Sequence, residues 1–140
     1  MAYSRSAAYG GNGGDAFADN LTEITALVGI NIRSDVLLDS IQGGFVTTSG
    51  STVTGTKYGG GGGNPSTIKL DQGDYIVRID GRAGEKIDQI KFTTARGAQY
   101  GPYGGGGGEP FTISGVHVGG FFGRSGALID QLGVFTQFPS

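Results

Sequence analysis

Three short stretches of this 140-residue chain hold an acid at a fixed distance from an arginine. They read RSDVLLD (Arg33 to Asp39), RAGEKID (Arg82 to Asp88) and RSGALID (Arg124 to Asp130). In each, the arginine and a small residue precede a Gly or Asp, and an aspartate stands four positions after that. Three further stretches are glycine runs opened by a tyrosine: YGGNGGDAF from Tyr9, YGGGGGNPSTI from Tyr58 and YGGGGGEPFTI from Tyr103. A glycine run presents backbone N–H donors with no side chain in the way. Lacking Cβ, the second glycine of each run lets a neighbour approach closely. A short turn ending in Asp places two more N–H groups beside a carboxylate. Together the two loop types supply about three N–H donors and one two-oxygen acceptor. A neutral polyol suits that set. Two vicinal hydroxyls donate to the two carboxylate oxygens, and ring and exocyclic oxygens accept from the amides. A phosphate is repelled by the aspartate, and a metal ion needs more oxygen ligands than one carboxylate offers. The middle residues of the turns, Val36-Leu37, Glu85-Lys86 and Ala127-Leu128, act through their backbone, which is why their identities differ.

Plainer readings exist for the same residues. Glycine runs can simply be tight turns, and Asp39, Asp88 and Asp130 can cap their own backbone. Arg33, Arg82 and Arg124 read as structural, tying the turn or facing solvent. GGNGGDAFA (Gly10 to Ala18) fits a calcium-binding nonapeptide, but that motif needs tandem neighbours, and the later runs continue as Asn64-Pro65 and Glu109-Pro110. No strand-turn-helix context supports nucleotide binding by a Gly-rich loop. The one histidine, His117, alternates with Val116 and Val118 and is expected to point out from a strand, with no Ser-His-Asp set around it. The recurring carboxylates fall in separate repeats, so a paired-acid glycosidase is not expected and the chain reads as a non-enzyme. Tyr103 and Phe122 are candidates for a binding-site rim.

The elements that must hold these loops are strands. Glycine makes up 30 residues, about three times the usual share. It is clumped, and between the clumps lie runs rich in Val, Ile, Thr and Phe with period-two alternation, such as ITALVGINI (24–32), YIVRID (75–80) and KIDQIKFTT (86–94). No sustained helical period appears. The chain reads as a single all-β domain over 1–140 with three internal repeats starting near Tyr9, Tyr58 and Tyr103. A unit of about 45 residues cannot bury its apolar face alone. Three of them facing a shared axis can, which predicts a pseudo-threefold prism of about twelve strands with the glycine and Asp loops exposed. A net charge of −2 without a basic stripe argues against nucleic acid. No apolar run of about 18 residues exists to enter a membrane. With no cysteine there is no disulfide or thiolate chemistry. No cofactor is expected. MAYSRSAAYGG is not a secretory signal, so the chain is expected in the cytoplasm, unless a signal was removed ahead of it.

AYGGNGGDAF, YGGGGGEPFTI and GGFFGRSGALIDQLGVF resemble the jacalin-related lectins of the mannose-binding branch, over about Tyr9 to Phe138. The resemblance implies a β-prism I of three four-stranded Greek-key sheets. It also implies that the N-terminal glycine loop meets the C-terminal G-x-x-x-D turn. Carried onto this chain, site one is Gly14 with Gly126, Ala127, Leu128 and Asp130. Likeness to the banana lectin type adds site two, Gly63 with Asp35, Val36, Leu37 and Asp39. In the family the third sheet often lacks a site. Here the motif is complete, which gives Gly108 with Gly84, Glu85, Lys86 and Asp88, although the long side chains of Glu85 and Lys86 can crowd it. The galactose-binding branch has a cut chain with a glycine N-terminus; here MAYSRSAAY precedes the glycines, so mannose or glucose is the expected sugar. The resulting expectation is a multivalent lectin for mannose- or glucose-containing glycans, a dimer or tetramer as is common in the family. The alternative is a prism that serves as a structural or protein-interaction module and binds no sugar.

Overall fold

In the computed structural model the described residues run from Ala2 to Phe138. They form strands and turns with no helix, arranged as three antiparallel sheets. One sheet comprises β4 (Ile24–Ser34), β5 (Leu38–Thr47), β6 (Thr52–Gly59) and β7 (Asn64–Lys69), in the order β6-β5-β4-β7. The next has β8 (Ile76–Ala83), β9 (Ile87–Thr94), β10 (Gln99–Gly104) and β11 (Glu109–Ser114), in the order β10-β9-β8-β11. Each has three consecutive strands side by side and a fourth that returns beside the first, the Greek-key arrangement. The remaining sheet is built from both ends of the chain. β12 (Val118–Ser125) and β13 (Ile129–Phe138) supply its centre; β3 (Asp15–Ala18) pairs with β12, and β1 (Ala2–Arg5) and β2 (Tyr9–Gly10) pair in succession along β13. β1 and β2 together fill the place of one outer strand, so the three sheets share a single plan.

The alternation read in the sequence, with its phase reset by one bulge in each sheet, decides what faces the axis. Leu38, Ile87 and Ile129 begin the second strand of each sheet and are fully buried. Three residues further on, Ile41, Ile90 and Leu132 are buried as completely. Phe92 and Phe121, from adjacent sheets, meet edge-to-face with centroids 6.5 Å apart. These aliphatic and aromatic side chains fill one core between the sheets. The residue after Leu38, Ile87 and Ile129 is in each case the motif aspartate. Arg33, Arg82 and Arg124 pair with Ser40, Gln89 and Gln131, while Ser34, Ala83 and Ser125 pair with Leu38, Ile87 and Ile129, so the aspartate between is the extra, unpaired residue of a bulge, set against the glycine run of its own sheet. A register shift recurs at one place in all three sheets, at Arg33/Ser34, Arg82/Ala83 and Arg124/Ser125. Bulges of this kind re-aim the chain where pairing ends. Here each one leads into a three-residue turn, because Ser34, Ala83 and Ser125 pair with Leu38, Ile87 and Ile129.

Candidate functional site: three glycine loops clasping three aspartates

At the end of the prism where these turns lie, the same construction appears three times. Within each turn the first N–H bonds the third carbonyl: Asp35 to Leu37, Gly84 to Lys86 and Gly126 to Leu128, each at 3.0 Å. That bond engages only the first amide, so the next two, at Val36-Leu37, Glu85-Lys86 and Ala127-Leu128, are the ones open to a ligand. The glycine run of the same sheet lies over the turn. Its second glycine donates to the carbonyl of the motif aspartate: Gly60 to Asp39 at 2.9 Å, Gly105 to Asp88 at 2.9 Å and Gly11 to Asp130 at 2.8 Å.

The last two glycines of each run then close around the carboxylate. A Cβ on Gly13 or Gly14 would stand 2.6 and 2.8 Å from the Asp130 oxygens. The corresponding distances are 2.7 and 2.6 Å at Gly62 and Gly63 for Asp39, and 2.6 Å at both Gly107 and Gly108 for Asp88. Real Cβ atoms do not come that near, so only glycine allows the acid to nest there. The final glycine is left-handed in all three, with φ of 68° at Gly14, 73° at Gly63 and 72° at Gly108.

The arginines hold the loops. Arg33 donates to the carbonyls of Gly62 and Gly63 at 3.0 and 2.8 Å, Arg82 to Gly107 and Gly108 at 3.1 and 2.8 Å, and Arg124 to Gly13 and Gly14 at 3.1 and 2.8 Å. The guanidinium fork matches two successive carbonyls, so these side chains tie the site and do not reach into it.

Within each of the three sites the structure brings the last glycine of the run against the motif aspartate, with the turn of the same sheet beside them. In site one Gly126 faces Gly14, the Cα of Gly14 standing 3.9 Å from where a Gly126 Cβ would be; in site three Gly84 faces Gly108 at the same 3.9 Å. In site two Asp35 takes the glycine's place and is exposed, as is Val36. Lys86 does not crowd the third site. Its ammonium bonds the Oδ2 of Asp130, in site one. Glu85 also lies over site one, its backbone against Gly11.

That displacement follows from a relation between sheets that the sequence reading missed. Each glycine run rests on its own sheet's turn and also on a turn of the neighbouring sheet. Space for a Cβ is closed at Gly11 by Glu85, at Gly60 by Ala127 and at Gly105 by Val36. The three contacts run in one rotational sense and close a ring. The aromatic residues that open and follow the runs interlock in the same sense: Tyr9 stacks on Phe111 at 4.7 Å and Tyr58 on Phe17 at 4.1 Å. The position that would serve Tyr103 in this way holds Ser66. Tyr58 also donates to Oδ1 of buried Asp19 at 3.0 Å, while the Phe121 N–H donates to Oδ2 at 2.8 Å. Burial pushes the Asp19 carboxyl up. Burial, with the nearby Asp19 charge, pushes the Tyr58 phenol up to about 12.

Other candidates fall away on geometry. Phe122 is buried under the Arg5 guanidinium, 4.6 Å from its ring centroid, and Tyr103 packs against the core, so neither forms a rim. His117 precedes β12, is half-buried and stacks on Tyr75 at 3.8 Å instead of pointing out of a strand. Among the described residues no group of three His, Cys, Asp or Glu is placed to hold a metal ion, and no helix is long and apolar enough to cross a membrane. A recess of about 640 Å³ between Tyr3, Asp19, Glu23 and Phe135 has its one buried carboxylate, Asp19, already bonded at both oxygens.

Comparison with known proteins gives a consistent result. The family model for the jacalin-like lectin domain matches residues 6–135. Horcolin of Hordeum vulgare is 33% identical over 135 residues, covering 91% of this chain and 92% of its own. Among solved structures, Malaysian banana lectin superposes with a TM-score of 0.86 at 30% identity, over 99% of this chain and 100% of that one. AcmJRL, a mannose binding jacalin related lectin from Ananas comosus, does so with a TM-score of 0.84 at 30% identity, over 95% and 96%.

Proposed function

This chain belongs to the jacalin-like lectin domain family, carbohydrate-binding proteins and not enzymes, and from that membership we propose that it binds mannose- or glucose-type sugars at three loop sites. The observation that carries the reading is the threefold clasp: a carboxylate nested against a left-handed glycine, beside two turn amides, at Gly14/Asp130, Gly63/Asp39 and Gly108/Asp88. A hexose with two adjacent hydroxyls donates one to each oxygen of the aspartate. Its ring or exocyclic oxygens accept from the turn amides at 127–128, 36–37 and 85–86. Charge-assisted bonds of this kind are the strong ones in such a site. All the protein donors are backbone groups, so the turn side chains tune contact with the sugar face without defining the acceptor set. Exposed Val36 is one such surface. AcmJRL, a mannose-binding relative, supports this choice of sugar.

One shallow site of this kind holds a monosaccharide with Kd on the order of mM. Three sites on one body convert that into avidity for branched glycans, and assembly into dimers or tetramers would multiply it again. The test is amide-resolved NMR titration with methyl α-mannoside, alongside retention on mannose-agarose. Shifts are expected in the glycine runs and turns of each site. D130A, D39A and D88A should each silence one set of shifts while the fold stays intact. A folded protein that passes through the column and shows no shifts would instead establish a prism that binds no such sugar.

A further inference from the structure

The three sites share a backbone plan, but among the described residues a cation bonds the motif aspartate in only one of them. Each turn overlies the glycine run of the neighbouring sheet through its second residue, Val36, Glu85 or Ala127, and a long third residue can reach past that contact into the neighbouring site. The turn 126–128 leans on the run of site two and the turn 35–37 on the run of site three. Their third residues are Leu128 and Leu37. The turn 84–86 leans on the run of site one, and its third residue is Lys86. The Lys86 ammonium bonds Oδ2 of Asp130, and a cavity of about 450 Å³ opens between Gly11, Asn12, Gly13, Glu85, Lys86 and Asp130. Lys86 is about a third exposed at its side chain, while that of Asp130 is 3% exposed. Among the described residues neither Asp39 nor Asp88 has an ion-pair partner.

We infer that Lys86 is a specificity-determining residue that keeps site one self-occupied, so that a neutral sugar must displace its ammonium from Asp130 and binds there several-fold more weakly than at sites two and three. This rests on the proposed sugar sites. A sugar hydroxyl needs the same Oδ2 lone pairs that the ammonium uses, and the long stem of Lys86 lets the charge swing out to water when they are taken. Ionic strength weakens the resident pair and leaves the neutral ligand untouched. Affinity at site one therefore rises with salt, while that at sites two and three stays flat.

Two measurements test this. In the free protein, NMR coupling across the hydrogen bond between the Lys86 ammonium nitrogen and the Asp130 carboxyl carbon should be detectable; its absence overturns the inference without any sugar. In the second, the wild type and K86Q are titrated with methyl α-mannoside at low and high salt and read at the amides of Gly14, Gly63 and Gly108. K86Q should tighten site one several-fold, abolish its salt dependence and leave site two, to which Lys86 contributes nothing, unchanged. Unchanged or weaker binding of K86Q at site one overturns the inference, as does a wild-type site one that is insensitive to salt. If no amide responds in either protein, the sugar reading fails, and with it the role of Lys86 in selecting ligands.

Discussion

Arg124 provides the sharpest test of how the sites are held. Its guanidinium bonds the carbonyls of Gly13 and Gly14 at 3.1 and 2.8 Å and touches no part of the ligand space. A hydrogen bond to a charged group contributes about 1.5–3 kcal/mol when buried. These are exposed, which lowers each to roughly 0.5–1 kcal/mol, or about 1–2 kcal/mol for the pair. R124A frees the glycine run, and a ligand then has to re-order it. At about 1.4 kcal/mol per tenfold in Kd, site one should weaken by roughly 5- to 30-fold. R124K keeps the charge and loses the fork, so it should fall about midway. The assay is titration with methyl α-mannoside read at the amides of Gly14, Gly63 and Gly108. Gly63 and Gly108 serve as internal controls, because Arg33 and Arg82 still hold their runs. An equal loss at all three amides, or none at Gly14, would refute the clamp. The first result would mean global loosening, and the second a glycine run that needs no tie.

Replacing Gly63 by Ala puts a methyl 2.6 Å from Asp39 Oδ1 at a φ of 73°; binding at site two should vanish while the others persist, with about 1–2 kcal/mol lost in denaturant unfolding. Y58F removes one of the two hydrogen bonds of buried Asp19 and should cost about 1–3 kcal/mol by calorimetry at pH 7. Because burial already raises the Asp19 carboxyl, the native state takes up its proton first; stability from this group therefore grows as pH falls toward 3.8, and the Y58F deficit should shrink in acid. Burial lowers the imidazole of His117, so below about pH 6.5 the unfolded chain gains a proton that the native one resists. Stability should then decline as pH falls through that window, and H117Q, in a chain with no other histidine, should flatten the decline in chemical unfolding.

Much of this was legible in the residues because local rules govern it. Period two marks Ile90, Phe92 and Thr94 as one inward face; Leu38, Ile87 and Ile129 fall out of that phase, because the aspartate after each is a bulge residue that alternation does not foretell. Clumped glycine marks the places where a carboxylate must nest against bare backbone. The partner of Gly14 came from family likeness; no pattern within the chain joins residue 14 to residue 130. What stayed hidden is geometry between sheets. That Lys86 overlies Asp130, or Val36 the run at Gly105, depends on which sheet neighbours which and in what rotational sense. One sequence with three near-equal repeats contains no signal for that. His117 misled for a related reason: alternation with two valines suggests a strand, but Tyr75 from another loop captures the ring before β12 begins.

The sheet made of β1, β2, β3, β12 and β13 has a kinetic consequence. Sites two and three join residues 39 and 63, and 88 and 108, whereas site one needs residue 14 to find residue 130. Loop-closure entropy rises with separation, and a chain made from its N-terminus onward has no β12 or β13 to offer until late. During synthesis the first glycine run therefore waits, together with β1 to β3, while the two internal sheets assemble. Site one is the last to mature, and the ring of contacts among the three turns closes only when it does.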